Sequence, residues 1–414
     1  GGRFPSRHEL DAVAPARPVL LAHTSAHALW VNSAALAACG ITRETLDPPG
    51  GRIDRDDAGA PTGILRDHAM RLVYDRVPAA GREAKQEALL RFQREAHRLG
   101  ITGVHAMDVS GGEFAAFQEA QQTRALRLRI RAYLTARRLE RWEGMRTGDG
   151  DEVLRIGGVK FFADGALGSL TAWMEEPYEG TSERGLPLQP VEHLERDVRR
   201  CLEQGLAPAI HAIGDRANRE VLDLLTRTAS LAPGLPRRIE HAQLLAPGLI
   251  ERFRSLGVTA SVQPIHATQD RTKVDRYWGR RGRWAYPFAE LLRAGVNLAF
   301  GSDSPVESLA PYEGLVAAQL RSGAPGDAGG PWYPEQRLTL EQALAAYTRG
   351  PARAVGEEAE SGRLAPGYAG DIVVLNGTAL EDALRDAPAA TIVAGEVVHS
   401  RDDFEAGRAL MRGS

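Results

Sequence analysis

The sequence lacks the features that mark several common classes of protein. Only two cysteines, Cys39 and Cys201, occur in 414 residues, which is too few for a disulfide framework. No apolar run reaches the roughly 20 residues that a membrane-spanning helix needs, and no apolar stretch of a secretory leader follows residues 1–5. The 51 basic residues nearly balance the 54 acidic ones and alternate with them, so no patch of one sign predicts a nucleic-acid partner. We therefore expect a cytoplasmic protein without nucleic-acid or membrane partners.

What the sequence contains instead is a regular alternation of helical and strand patterns from about residue 81 onward. This alternation is typical of βα units around a parallel sheet, and the chain is long enough for a (β/α)₈ barrel of roughly 250 residues plus an accessory module. The predicted strands are Ile101–His105, Leu128–Leu134, Gly158–Ala163, Ala207–His211, Arg238–His241, Val258–Val262 and Val296–Asp303. Counted backwards from the last of them, they are strands two to eight of an α/β, TIM-type barrel over residues 81–355, and strand one is missing.

The segments on either side of the predicted barrel have a different character. Residues 1–80 contain one candidate strand, Val19–Ala22, and then strong turn signals at 48–51 and 56–59. We interpret them as an insertion that lies like a lid after the missing strand one. Residues 356–414 contain two β-branched runs near glycines, which predict strands of a small β-sandwich module.

Metal-competent side chains stand at the ends of four of the predicted strands: Lys160, His211, His241 and Asp303. Each has an ordinary explanation when taken alone, since a histidine can be a packing residue, the lysine could pair with Asp164, and Asp303 could cap a turn. Four together are harder to dismiss, because active sites of such barrels collect at the carboxyl ends of the strands. Imidazole and carboxylate groups are ligands that zinc prefers, and an open position would hold a water that ionises near neutral pH.

Several longer segments resemble the amidohydrolase superfamily and, within it, the amidohydrolase 3 (YtcJ-like) family, which includes N-substituted formamide deformylase. The matching segments are VKFFADGALGS at 159–169, IHAIGD at 210–215, IEHAQ at 239–243, GSDSPV at 301–306, HALWVNS at 27–33 and SVQP at 261–264. Their order and spacing extend the resemblance over nearly the whole chain.

The resemblance implies a hydrolase that cleaves the C–N bond of a small-molecule amide, such as an N-acyl or N-formyl amine, by attack of a metal-bound hydroxide. It implies one or two divalent ions, zinc above all, and a CO2-derived carbamate on Lys160 that bridges them. His211 and His241 would hold the more exposed ion and Asp303 the buried one, and Asp303 would serve as general acid and base. The oligomeric state is left open, with a homo-oligomer among the alternatives.

One departure from the family pattern concerns the first strand, which in the family ends in a His-x-His pair. No such pair occurs here, and His23 and His27, which are spaced by four, match a different segment. We expect that the 414 residues are part of a longer protein. The alternatives are a catalytically inactive fragment or a non-catalytic barrel that binds a small molecule and, among enzymes, deamination or lactone hydrolysis.

Further candidates surround the predicted ligands. Four residues are predicted to contact the substrate: His27, Asn32, Gln263 and His266. For His27 and Asn32 a structural hydrogen bond is an equal alternative. His105 and Asp108 end strand two, where we predict that they hydrogen-bond a metal ligand rather than the metal itself.

Overall fold

The computed structural model describes residues 4–322, 330–376 and 387–401, and the chain begins with a four-stranded antiparallel sheet in the order β1-β2-β4-β3. The elements of this N-terminal unit are α1 (Arg7–Asp11), β1 (Leu20–Ala22), β2 (Ala28–Val31), α2 (Ser33–Ala38), β3 (Gly51–Arg55), β4 (Pro61–Asp67), the 3₁₀ turn η1 (His68–Met70) and α3 (Arg71–Tyr74).

The N-terminal unit has more regular structure than its turn signals indicated. The predicted turns are present, since one precedes β3 and the other joins β3 to β4. Alternate residues of β2, Leu29 and Val31, are fully buried, and they pack with Ile53 and Leu65 in a small hydrophobic core. Side chains at i and i+2 of a strand share a face, so this segment folds as a layer with its own core.

A seven-stranded parallel sheet follows, and its strands stand side by side in their order along the chain. Every neighbouring pair is parallel. The strands are β5 (Gly103–Val109), β6 (Arg129–Thr135), β7 (Leu154–Phe162), β8 (Pro208–Ala212), β9 (Arg238–His241), β10 (Thr259–Val262) and β11 (Leu298–Phe300). They correspond to predicted strands two to eight, so the α/β barrel assignment is confirmed. Among the described residues no strand joins the two edge strands, β5 and β11.

Helices lie between the strands and pack against the sheet. They are α4 (Arg82–Arg98), α5 (Gly111–Gln122), the 3₁₀ segment η2 (Ala136–Trp142), α6 (Val191–Glu203), α7 (Asp215–Arg227), α8 (Leu249–Ser255), α9 (Pro264–Gln269), α10 (Arg271–Tyr277), η3 (Gly279–Trp284), α11 (Phe288–Arg293), α12 (Pro311–Leu320), η4 (Pro334–Gln336), α13 (Leu340–Tyr347) and α14 (Arg349–Ala354). In α6 the buried residues Leu194, Val198, Cys201 and Leu202 recur at helical spacing, which gives one apolar face toward the sheet.

The C-terminal strands form a third, antiparallel sheet, made of β12 (Ile372–Val374), β13 (Ala390–Val393) and β14 (Glu396–Ser400). Ion pairs tie this part of the chain to the amino ends of the barrel strands. Arg129 donates two hydrogen bonds to Asp371 at 2.6 and 2.9 Å, and Arg131 donates two to Glu357 at 2.6 and 2.8 Å. Bidentate pairs of this kind fix geometry as well as charge.

Two simpler expectations can be compared with the fold. None of the helices in the described ranges is long and apolar enough to cross a membrane. Cys39 and Cys201 are both free thiols, and Cys201 is fully buried in the core.

Candidate metal centre

The four predicted metal ligands lie along one edge of the parallel sheet. Lys160 is in β7, His211 is in β8, His241 ends β9, and Asp303 follows the end of β11. Because neighbouring strands are parallel, their carboxyl ends open on the same side of the barrel. The sheet register places Lys160 beside Thr135 of β6, and the ring centroids of His211 and His241 are 4.6 Å apart.

Each of the two imidazoles is held through one ring nitrogen. His211 Nε2 lies 3.0 Å from the carbonyl oxygen of Gly165, and His241 Nδ1 lies 2.9 Å from Oε1 of Gln263. No hydrogen bond from the described residues occupies the other nitrogen of either ring. Burial lowers the pKa of both imidazoles well below the usual range, so both are neutral, which is the form that coordinates a metal.

Lys160 is buried without a close counter-ion. Its residue is 4 % exposed, and its Nζ lies 4.8 Å from the ring centroid of Phe162. Desolvation lowers the pKa of Lys160, while the carboxylates of Glu240 and Asp303 oppose this shift. Within the described ranges no ion pair includes Lys160. Because an unpaired ammonium is costly to bury, the position favours a neutral or chemically modified amine.

Asp303 lies at the mouth of the barrel beside His266. Its φ of +57° is in the left-handed region, which is uncommon for a residue other than glycine. The side chain is 36 % exposed, and Oδ2 lies 4.0 Å from Nε2 of His266. Partial desolvation raises the pKa of Asp303, against the opposing influence of His266 and Lys160. The carboxylate therefore borders both the ligand cluster and solvent.

His266 extends the row of imidazoles. Its ring stacks on that of His241, with centroids 5.9 Å apart and planes 24° from parallel. Its Nδ1 contacts the amide nitrogen of Gln243 at 3.3 Å, and its buried Nε2 has no hydrogen-bond partner among the described residues. A polar atom left in this way needs a further partner, which agrees with the predicted substrate contact.

A second unit brings another histidine to the same site. His27, at the start of the N-terminal β2, has its ring centroid 5.1 Å from that of His211. His27 Nδ1 lies 2.6 Å from Oδ1 of Asp67, the last residue of β4. The Asp67 side chain is fully buried, and its other oxygen has no partner in the described part of the chain. His27 was predicted from the sequence, whereas Asp67, which lies 40 positions away, was not.

Asp164 is another residue whose role the sequence analysis missed. It is fully buried and accepts backbone N–H groups of Trp173 at 2.8 Å, Gly214 at 2.9 Å and Ile213 at 3.0 Å. Burial raises the pKa of Asp164 to about 7, against the effect of these donors. Asp164 thus joins the loops that follow β7 and β8 and does not pair with Lys160. Its place directly after a predicted strand was the available signal.

Asn32 and Gln263, the other two residues predicted to contact the substrate, have different hydrogen-bond partners in the protein. Asn32 is fully buried; its Oδ1 accepts from Val19 and Ala35, and its Nδ2 donates to Ala14 and Arg17. These four hydrogen bonds use the capacity of the amide, which supports the structural alternative and not substrate contact. Gln263, predicted to contact the substrate, contacts His241 through its Oε1, and its contact with a substrate stays a prediction.

His105 and Asp108 are both in β5, yet they have different surroundings. His105 Nδ1 lies 2.7 Å from Nη1 of Arg238. The hydrogen bond that the structure describes for His105 is therefore with Arg238 in the barrel interior and not with a predicted metal ligand. Asp108 follows an irregularity in the pairing of β5 with β6 and has a φ of +54°. Such irregularities often change the direction of a side chain near active sites. Burial raises the pKa of Asp108, and the side chain of Thr135 and the charges of Arg137 and Lys160 oppose that shift.

Comparison with known proteins identifies the family. A family model described as an amidohydrolase family matches residues 1–399. The chain belongs to the amidohydrolase family. It is 36% identical over 380 residues to the putative amidohydrolase YtcJ of Bacillus subtilis (strain 168), with 90% of this chain and 71% of that protein covered.

Other relatives of this amidohydrolase have more specific descriptions. N-substituted formamide deformylase of Arthrobacter pascens is 28% identical over 391 residues, which cover 90% of this chain and 71% of that protein. A solved structure described as an uncharacterized metal-dependent hydrolase from Pyrococcus horikoshii OT3 superposes with a TM-score of 0.70 at 31% identity, covering 89% of this chain and 72% of that one.

The residues of this amidohydrolase fit a divalent metal in their chemistry. Two neutral imidazoles, each fixed through its other nitrogen, are the arrangement that metal-binding histidines adopt. In the described residues no three His, Cys, Asp or Glu side chains are gathered closely enough to hold an ion. A further donor would therefore come from another residue type, and Lys160 becomes an oxygen donor only as a carbamate. Its burial without a counter-ion agrees with that modification.

Proposed function

We propose that this amidohydrolase is a metal-dependent hydrolase that cleaves the C–N bond of an amide, such as an N-acyl or N-formyl amine. The observation that carries the proposal is that Lys160, His211, His241 and Asp303 all stand at the carboxyl edge of one parallel sheet. The likeness to N-substituted formamide deformylase supports the type of bond, and the likeness to a metal-dependent hydrolase supports the metal.

One or two ions, with zinc as the first choice, would be held by His211, His241, Asp303 and a carbamate on Lys160. When bound, a divalent ion polarises a carbonyl group and makes water acidic enough to ionise near neutral pH. The carbamate forms when the neutral amine of Lys160 attacks CO2 and loses a proton. Burial favours this step because it increases the neutral fraction of the amine.

Asp303 transfers the proton. Its carboxylate, between the ligand cluster and solvent, accepts a proton from the attacking water and donates it to the leaving amine nitrogen. The C–N bond breaks as that nitrogen is protonated, and the products are a carboxylic acid and an amine. A positioned carboxylate in this role contributes about 10²- to 10⁴-fold to the rate.

His27 and His266 border the substrate from two sides. Asp67 holds Nδ1 of His27, which leaves Nε2 available for a hydrogen bond to the polar part of the amide. The partnerless Nε2 of His266 lies 4.0 Å from Asp303, close to the position where the leaving amine forms. Buried imidazoles that are fixed in this way orient a substrate at little cost in conformational entropy.

The test uses zinc-loaded protein and a panel of N-formyl and N-acetyl amines, with release of the primary amine as the readout. Asp303→Asn should lower turnover by at least about 100-fold and leave the circular dichroism spectrum near that of the parent, and the zinc content per chain of the same samples separates loss of proton transfer from loss of the ion. Asp57→Asn, a matched change at an exposed turn residue, should leave turnover unchanged. Turnover by Asp303→Asn within a few-fold of the parent would contradict the assigned role.

The same panel separates the alternatives. Zinc-loaded protein that releases no amine but hydrolyses lactones or releases ammonia from cyclic amidines would move the reaction to another carbonyl-like centre. Binding of amides without any turnover would support the non-catalytic alternative.

A further inference from the structure

A cavity of about 340 Å³ lies next to the candidate metal centre, at the carboxyl ends of β5 and β6. Its wall includes Arg71 of α3 and three arginines of η2, which are Arg137, Arg138 and Arg141. Asp108 and Thr135, at the ends of the two strands, also line it. Two parts of the chain that are distant in sequence thus direct guanidinium groups to one concave surface.

The charges of this arginine cavity are not balanced. The lining holds four guanidinium groups against one carboxylate, that of Asp108. Within the described ranges no ion pair engages Arg137, Arg138 or Arg141, and the pair of Arg71 with Asp75 is exposed and 3.8 Å long. The nearby carboxylate of Glu113 is occupied by the backbone N–H of Ser110 at 2.8 Å. Like charges gathered without counter-ions repel each other, and a bound anion would relieve that repulsion.

One side of the arginine cavity is formed by a buried aromatic residue. Trp142 is 3 % exposed, and its Nε1 donates to the carbonyl oxygen of Thr135 at 2.9 Å. Arg141 passes close to the start of α5, where a Cβ on Gly111 would lie 2.8 Å from its Nη1. The twelve-residue α5 also directs its N-terminus toward the cavity, and the partial positive charge there favours anions.

The cavity and the candidate metal centre meet neighbouring strands of the sheet at the same level. Thr135, on its wall, is the β6 partner of Lys160 in β7, and neighbouring strands are about 5 Å apart. Asp108 is within electrostatic reach of both Lys160 and Arg137. An amide beside Lys160 would lie one strand away from Thr135, which lines the cavity.

We propose that the arginine cavity binds an oxyanion on the substrate, the chemistry shared by carboxylates and phosphate esters. This inference rests on the proposed amide hydrolysis. The planar fork of a guanidinium group matches the paired oxygens of either anion. The substrates preferred by this protein are accordingly N-acyl or N-formyl amines with an acidic group on one side of the amide.

The experiment measures binding by calorimetry to the Asp303→Asn variant, in which turnover does not interfere. The ligands are ω-formamido carboxylic acids with two to six carbons, their neutral primary amides, and N-formyl phosphoethanolamine as the phosphate arm. At low salt at least one anionic ligand should bind about tenfold or more tightly than its neutral counterpart, and added salt should reduce that preference. The best chain length reports the distance from the amide site to the arginines.

The variants test whether the arginines are responsible. Arg137→Gln combined with Arg141→Gln should reduce the anion preference to within about twofold and leave binding of the neutral amides unchanged. The control pair Arg254→Gln and Arg349→Gln removes the same charge from exposed positions outside the cavity and should keep the preference. Equal affinity for every matched anionic and neutral ligand, or a preference that survives in the cavity variant, would overturn the inference. Anion preference without hydrolysis of any ligand by the parent protein would contradict only the proposed reaction.

Discussion

Buried polar groups at the two ends of the parallel sheet differ in whether they have ion-pair or hydrogen-bond partners. At the amino ends, Arg131 and Glu357 are each less than 10 % exposed and form a bidentate ion pair, and Arg155 adds a further bond to Glu357 at 2.9 Å. At the carboxyl ends, Lys160 has no ion pair and His266 Nε2 has no hydrogen bond in the described part of the chain. The same strands thus have satisfied charges at one end and unsatisfied polar atoms at the other.

Backbone conformation in the site region is also unusual. Four non-glycine residues of the site region, Asp67, Asp108, His241 and Asp303, have φ between +49° and +74°. Conformations of this kind cost free energy and persist where the surrounding structure enforces them, often at functional sites. We therefore expect the ion pairs at the amino ends to contribute to stability, whereas the carboxyl ends hold groups that need an external partner. Changes at the two ends should separate activity from stability.

The largest expected effect is on turnover, from Lys160→Met at the carboxyl end. Loss of an outer hydrogen-bond partner of a metal site costs about 10- to 100-fold, so loss of the proposed carbamate should lower turnover of the zinc-loaded protein beyond about 100-fold. The free energy of unfolding should stay the same or increase, because an unpaired buried amine is replaced by an apolar side chain of similar length.

Amine release and urea denaturation of the same samples test this expectation, with Lys85→Met on α4 as the control. Normal turnover would contradict the proposed role of Lys160 in the reaction, and a large loss of stability would mean that Lys160 is a structural residue.

The opposite result is expected at the amino end from Glu357→Gln. This change leaves the guanidinium groups of Arg131 and Arg155 without their shared carboxylate, and breaking a buried pair costs about 3–5 kcal/mol. The urea midpoint should fall accordingly, while kcat per folded molecule remains near that of the parent.

Glu396→Gln is the matched control, since the Arg127–Glu396 pair is more than half exposed on both sides and is worth less than about 1 kcal/mol. If the Glu357 variant loses turnover without losing stability, the proposed division between the two ends of the sheet is wrong.

This division also explains how much could be read from the sequence. The strands were predictable because each is a short apolar run that follows a helical pattern, and the candidate ligands because they end those runs. Asp303 and His241 could be predicted as candidate ligands from their local sequence alone. The predicted strand at Val19–Ala22 was found as well, but its sheet partner was not, because pairing depends on residues far along the chain.

The residues missed by the sequence analysis are those whose meaning comes from long-range contacts. Asp67 is recognisable only through His27 at 2.6 Å, and Arg131 only through Glu357, 226 positions away. The three arginines of η2 give no local signal of a binding site, and only the structure shows that they line one cavity with Arg71. For Asn32 the sequence left substrate contact and a structural hydrogen bond as equal alternatives, because a polar residue in a family motif gives no sign that its hydrogen bonds are all internal.

The smallest effect is expected from Asp67→Asn, which tests whether a residue of the N-terminal unit acts on the carboxyl end through His27. The amide keeps an acceptor for His27 Nδ1 but loses the charge that holds the ring, so kcat should fall about tenfold, the lower end of the range for outer hydrogen-bond partners. KM should change little, whereas a loosened N-terminal unit would raise it.

The decisive comparison is a double-mutant cycle with His27→Asn. If Asp67 works only by positioning His27, the double variant is no slower than His27→Asn alone, and fully multiplicative losses would show that the two residues act independently.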